Sequence, residues 1–280
     1  MRRVFVVTVD CDLRGDDAAV RQASLEAMLE VFAEEGLAGH VTWFLNENDF
    51  LLTENHQALL HEAVGRGDTL GLHDHLEPFG AHLKHVAVQY DARAVAAFCR
   101  ASRERVAGWL AANGYERELR VHRNGCVAQA PEIYMALAEL GYTVHSDTWP
   151  GHRCNDRVGR PAQDSEDIPH GIAPYRHDPA NFGDYTSTAG RFLQVPLMEM
   201  FLAPFRFKLM DRWDRAFAER GAELATFTWC IHPYEVLTDV RDAVSPGLVE
   251  VLRDDLRRFR DDYAVEFASI DDLTEALGDE

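Results

Sequence analysis

Apolar and polar positions alternate along this chain in two rhythms, and the switches between them mark out its elements. Val4 to Val9 is a compact, largely β-branched run, after which Leu25, Met28, Leu29 and Phe32 recur at helical spacing between about Asp17 and Gly36. Branched residues pack well on a pleated surface, whereas apolar positions three and four apart face one side of a helix. The same reading makes Val41 to Leu45 a strand. Leu59, Leu60, Ala63 and Val64 form a short helix stopped at Gly65 to Gly67, and Thr69 to Leu72 is a third strand. Val95, Phe98, Ser102, Val106, Trp109 and Leu110 predict a long helix ended by Asn113-Gly114. Leu119 to His122 is a brief strand, Pro131 opens a helix running to Leu140, and Tyr142 to His145 is the next strand.

Between Asp147 and Arg191 the periodicity is lost, and five of the eleven prolines fall there (Pro150, Pro161, Pro169, Pro174, Pro179). The pattern resumes with Phe192 to Val195 as a strand and a helix carrying Phe205, Leu209, Trp213 and Phe217 up to Gly221. Leu224 to Ile231 is a buried strand. Ser245-Pro246 starts a helix through Leu248, Leu252, Leu256 and Phe259, before a strand at Ala264 to Ala268 and a terminal helix.

Seven to eight βα units without a glycine-rich dinucleotide fingerprint predict an α/β fold, a closed or nearly closed (β/α) barrel rather than an open nucleotide-binding sheet. A length of 280 residues with 46% hydrophobic content suits one domain over residues 1–280. The stretch at about 148–190 is then a long loop insertion, a kind usually functional or disordered.

A formal net charge of −19 argues against nucleic acid or an anionic membrane as partner and favours a small molecule. The five cysteines (Cys11, Cys99, Cys126, Cys154, Cys230) are scattered without a CxxC pair, which fits reduced thiols in a cytoplasm. Val4 to Val9 is short, contains Thr8 and runs into Asp10 without a cleavage site, so it reads as a core strand and not as a signal peptide. No run reaches the 18 or so apolar residues of a membrane span. The expectation is a cytoplasmic protein.

In barrels the working residues sit where strands end. Here nearly every predicted strand ends in a polar side chain: Asp10 and Asp12, Asn46, His73 and His75, Arg123, Asp147 and His232. Each has an ordinary explanation alone, as a helix cap or a satisfied buried group. Together they are two carboxylates and two imidazoles at i, i+2 spacing, which puts each pair on one face of an extended segment and suits a divalent metal.

Five motifs follow one another in a recognisable order. They are Thr8-Val9-Asp10-Cys11-Asp12, Gly71-Leu72-His73-Asp74-His75, His122-Arg123-Asn124-Gly125, Glu139-Leu140-Gly141-Tyr142 and Cys230-Ile231-His232-Pro233. From about Arg3 to Leu277 the chain resembles the polysaccharide deacetylases with a NodB-homology domain, of the carbohydrate esterase type, whose fold is a distorted (β/α) barrel. The resemblance implies Asp10 as general base, Asp12 as carboxylate ligand, His73 as first imidazole ligand, Arg123 as the residue holding the base, Asp147 as the acid tuning the catalytic histidine, and His232 as that histidine. The family's usual second histidine falls at Glu77. His75 is the ligand expected instead, with Glu77 the alternative if the segment turns helical.

Amide hydrolysis needs a polarised carbonyl, an activated water and a proton for the departing amine. One Asp and two His ligands on zinc leave positions open for the first two needs. Asp10 would take the water's proton, Arg123 would hold Asp10 ionised, and His232, kept cationic by Asp147, would protonate the leaving nitrogen. Asp74 should point away from the metal. His82 and His85 are weaker candidates in a solvated stretch. Trp149, His170, Tyr175 and Tyr185 offer rings that could stack on a sugar or build the loop's own small core, and Tyr234 and Glu235 line the pocket or start a turn.

The function expected is a zinc-dependent deacetylase acting on an N-acetylated sugar or glycoside, a small cytoplasmic biosynthetic intermediate. The alternatives are a cyclic-amide hydrolase of the allantoinase-like branch and a non-catalytic sugar-binding barrel.

Overall fold

The computed structural model describes residues 1–12, 17–46, 54–83, 87–155, 161–200, 202 and 206–278. In chain order the elements are β1 (Arg2–Asp10), α1 (Ala18–Glu34), β2 (Thr42–Asn46), α2 (Glu54–Arg66), β3 (Thr69–Asp74), β4 (Gly80–Leu83), β5 (Ala87–Tyr90), α3 (Ala92–Ala112), β6 (Val121–Asn124), α4 (Pro131–Glu139) and β7 (Val144–His145). They continue with β8 (Arg153–Asn155), β9 (Pro161–Asp164), β10 (Tyr175–His177), β11 (Phe192–Gln194), β12 (Glu199–Met200), α5 (Arg206–Glu219), β13 (Leu224–Ile231), α6 (Pro246–Tyr263), β14 (Glu266–Ala268) and α7 (Ile270–Ala276). Short 3₁₀ turns stand at Glu77–Phe79, Gly125–Val127 and Pro233–Val236.

The chain forms two compact units, one of Met1–Leu70 with Glu199–Glu280 and one of Gly71–Met198. In the first, β1 lies at the centre, parallel to β13 over eight positions from Arg2↔Leu224 to Val9↔Ile231. It also pairs in parallel with β2 and β14, and β12 adds to β13. The strand is buried from Val4 onward, which explains its continuous apolar run. Phe5 is the hub of the packing, its ring centroid 4.0 Å from Phe259 and 6.2 Å from Trp229. Burying each such ring contributes roughly 2 to 3 kcal/mol. The helix starts follow the sequence: Asp17 caps α1, Ser245 caps α6 ahead of Pro246, and Ser269 with Asp272 forms a capping box on α7.

In the second unit β6 pairs in parallel with β3 (Gly71↔Val121 to Asp74↔Asn124) and with β7, β11 extends β7 in parallel, and β10 closes on β11 antiparallel. Helices α3 and α4 pack on one another. Asp91 caps α3 and Pro131 occupies the first turn of α4.

The stretch predicted to be structureless carries three strands, β8, β9 and β10. They are three or four residues long with polar and proline residues, so they are too short to show the alternation from which a strand is read. The hairpin of β4 and β5, four residues a strand, is likewise too short to be read from the sequence. Phe205, His85 and the side chains of Glu77, His82 and Leu209 lie outside the described residues.

Candidate active site

In the first unit the ends of β1 and β13 bring a carboxylate and an imidazole together. Their register places Thr8 beside Cys230 and Val9 beside Ile231, so Asp10 and His232 follow as neighbours. Both are buried, with Nε2 of His232 3.9 Å from Oδ2 of Asp10. The other ring nitrogen, Nδ1, lies 2.6 Å from Oε1 of Glu235, which also accepts the backbone N–H of His232 at 2.8 Å. Oε2 of Glu235 accepts from the Leu202 amide at 2.6 Å. A carboxylate held by two backbone donors fixes the imidazole's tautomer, with its proton on Nδ1 and Nε2 turned toward Asp10. The ring of Tyr234 stacks on His232 at 4.8 Å, and the guanidinium of Arg241 covers Tyr234 at 5.0 Å.

Asp12 stands just beyond β1, its Oδ1 accepting from Asn46 Nδ2 at 3.0 Å, and its amide bonds the Asp10 carbonyl at 2.7 Å. Asn46 thus orients one oxygen of Asp12 from the end of β2. Cys230, fully buried, lies beside the Asp10–His232 pair: the ligand-type atoms of Asp10, Cys230 and His232 all lie within 4.8 Å of one another.

In the second unit the rings of His73 and His75 meet edge to face at 4.9 Å. Nδ1 of His73 lies 3.2 Å from the Arg123 carbonyl, the arrangement in which a ring donates one N–H to backbone and keeps Nε2 for a metal. His75 rests against Gly125, where a Cβ would fall 2.4 Å from Nδ1 and 2.9 Å from the Cα of His75. Any other residue there would displace His75. Between the two histidines, Asp74 bonds His122 Nε2 at 2.9 Å. Burial alone would raise its carboxyl, but the His122 hydrogen bond and charge outweigh that and hold it below the usual range.

Arg123 is fully buried, its Nε donating to the Ser146 carbonyl at 2.7 Å and Nη2 to Ser146 Oγ at 2.8 Å. Asp147 accepts from Asn124 Nδ2 at 2.6 Å and from Tyr134 OH at 2.9 Å. Complete burial pushes its carboxyl up to about 6, against the lowering effect of the Tyr134 hydrogen bond. The carboxylate on Nδ1 of His232 is Glu235. The reason is local: a Pro233-started 3₁₀ turn folds position i+3 back onto the ring. His-Pro-x-Glu carried that signal, and capping-box spacing was the way to find it.

The aromatic residues of the long loop largely serve its own packing. Tyr175 is buried with Ile168 and Ile172, and Tyr185 packs on that cluster. Tyr175 OH bonds Thr148 Oγ1 and the Phe182 carbonyl, each at 3.1 Å. Trp149 stacks on His152 at 3.8 Å, and His170 fills the space against Gly151.

No family model matches the chain, and no curated protein does either. Among solved structures, a candidate polysaccharide deacetylase from Mycobacterium smegmatis aligns over 99% of this chain and 90% of its own at a TM-score of 0.61, with 14% identity. The likeness is one of fold. A 4-alpha-glucanotransferase from Thermococcus litoralis aligns over 99% of this chain but 38% of its own, at a TM-score of 0.55 and 12% identity. The α/β, NodB-like fold class read from the sequence holds. The reaction has to be argued from the residues. No described helix is long and apolar enough to cross a membrane.

Proposed function

We propose that this protein is a metal-dependent hydrolase that removes an acetyl group from an N-acetylated sugar or glycoside. The observation that carries the reading is the buried Asp10–His232 pair, 3.9 Å apart at the ends of two parallel strands, with Glu235 fixing the far side of the imidazole. A carboxylate and an oriented imidazole are the base and acid that amide hydrolysis requires, and a binding protein has no use for the combination.

In this reading Asp10 takes the proton of the attacking water, and His232, entering the reaction as the imidazolium with Nδ1–H on Glu235, delivers its Nε2 proton to the departing nitrogen. Glu235 stabilises the imidazolium and keeps Nδ1 from competing for substrate. Asp12, His73 and His75 are the proposed ligands of one divalent ion. Three features support them: the motif order, the carbonyl-anchored ring of His73, and the seat that Gly125 leaves for His75. Their O and N donors suit zinc. When bound, the ion would polarise the acetyl carbonyl and lower the pKa of water. Arg123 is proposed to hold Asp10, as the resemblance implies. Asp147 remains a candidate for tuning the site, from a position anchored on Asn124 and Tyr134.

The test is metal analysis of the purified protein, followed by acetate release from a panel of small N-acetylated glycosides and polymers. Asp10→Asn should keep the metal and lose turnover, while His73→Ala should lose both. If Asp10→Asn loses its metal along with activity, base and ligand roles are exchanged between Asp10 and Asp12. A metal-loaded protein that releases no acetate from any member of the panel overturns the reading.

A further inference from the structure

We propose that Asp10, Cys230 and His232 form a second metal site that takes a thiophilic divalent cation such as zinc. Filling it would arrest the enzyme by occupying the base and the acid at once. The binding claim stands on geometry within the first unit alone; the arrest rests on the function proposed above.

The register of β1 and β13 sets Thr8 beside Cys230 and carries both strands on to Asp10 and His232. Cys230 and His232, two apart, project to one face, as do Thr8 and Asp10. The result is a carboxylate oxygen, a sulfur and an imidazole nitrogen, all within 4.8 Å of one another and all on buried residues. Tetrahedral bonds of about 2.0 to 2.3 Å would set such atoms roughly 3.5 Å apart. A contraction of up to about 1.3 Å between donor atoms, divided between the side chains involved, converts the cluster into a zinc site of O, N and S donors with a fourth position left for water.

A second feature points the same way. Metal-bound imidazoles characteristically donate their other N–H to a carboxylate, which fixes the tautomer and raises ligand basicity. Glu235 does this to Nδ1 of His232 at 2.6 Å, with its own position set by backbone donors. That bond also suits the acid role, so it does not by itself separate the two uses of His232. Cys230 does. The proposed hydrolysis has no task for a thiol, whereas thiolate is the donor that most favours zinc over magnesium or calcium. Binding would need thiolate, carboxylate and neutral imidazole donors, so it would release to solvent the Cys230 thiol proton and the Nε2 proton that His232 carries as the acid. The competing account is that Cys230 is a small buried hydrophobe.

The experiment uses the full chain, stripped with a chelator and titrated with cobalt(II). One equivalent should fill the Asp12, His73 and His75 set without any sulfur signature. A second should bring up thiolate-to-cobalt charge-transfer absorption. That band should vanish in Cys230→Ala, survive in Cys99→Ala and His73→Ala, and appear only at about 10- to 100-fold higher cobalt in Glu235→Gln. Should Cys230→Ala fail to fold, His232→Ala reads the same loss. In activity, excess zinc should stop acetate release by the native protein, with at least about a tenfold higher concentration needed for Cys230→Ala, since a lost ligand weakens the site by that order or more. No band at saturating cobalt, or a band that persists in Cys230→Ala and His232→Ala, overturns the proposal. If no substrate is found but the Cys230-dependent band is present, the site stands and the deacetylase reading is what fails.

Discussion

Nδ1 of His232 lies 2.6 Å from Oε1 of Glu235, three residues on in the same turn. The bond makes Glu235 a positioning residue for the proposed acid, and its removal should be felt in proportion to how badly the leaving group needs a proton. We expect Glu235→Ala to lower kcat on N-acetylated sugars by about 10²-fold with KM little changed, the lower end of what a general acid contributes. On an aryl acetate, whose phenolate departs unaided, the loss should be far smaller, and Glu235→Gln should recover part of the activity by keeping an acceptor. Equal losses on both substrates would show that the residue merely holds the turn together.

The seat of His75 gives a second test. Because a Cβ on Gly125 would fall 2.4 Å from Nδ1 of His75, Gly125→Ala must displace the ring. We expect metal affinity to fall about 10- to 100-fold in a competition with a chelator, with the far-ultraviolet circular dichroism unchanged. An unaltered affinity would remove His75 from the ligand set and bring Glu77 forward.

These two tests turn on residues whose roles apolar periodicity does not display. The long apolar runs of β1 and β13 were legible, since a buried parallel strand shows as a continuous stretch of branched residues. The polar residues at strand ends were legible for the same reason: once the strands are placed, Asp10, His73, Arg123 and His232 stand at their termini. What a glycine at position 125 or a glutamate at position 235 does depends on the path of the backbone in two 3₁₀ turns, which periodicity does not reveal. In the region from Asp147 to Arg191 the order rests on tertiary contacts, such as Phe182 against Tyr134, Ala138 and Phe192. Short strands of polar sequence carry no local signature.

Asp147 should leave a mark on the pH dependence of stability. Burial raises its carboxyl from the usual range to about 6, so the folded state holds this proton more tightly than the unfolded chain does. The group's contribution is therefore fully present below about pH 4 and is lost as pH rises through about 6, by about 3 kcal/mol in all. Asp147→Asn, which does not ionise, should flatten that segment of the curve when urea unfolding is followed between about pH 4 and 7. A variant whose stability tracks the native protein's at every pH would place the ionisation elsewhere.

The hairpin of β8 and β9 offers a way to test whether the long loop selects substrate. Its base is closed by backbone bonds, Gly151 N–H to the Ser165 carbonyl at 2.8 Å and Ser165 N–H to the His152 carbonyl at 3.1 Å. Both strands contact the Gly125–Val127 turn that seats His75. The rest of the loop is a poor place to cut, because Tyr175 and Phe182 are part of the unit's packing. Replacing residues 153–164 by a short glycine linker spares that packing and keeps the closing bonds. Barrels acquire specificity in the loops at their catalytic end, so the shortened protein should keep its metal and its kcat on a small acetyl ester. Its KM for a bulky or polymeric glycoside should rise, or its substrate range broaden. If every substrate shows native kinetics, the hairpin is a structural flap, and selection must come from the turn of Pro233–Val236 with its stacked Tyr234.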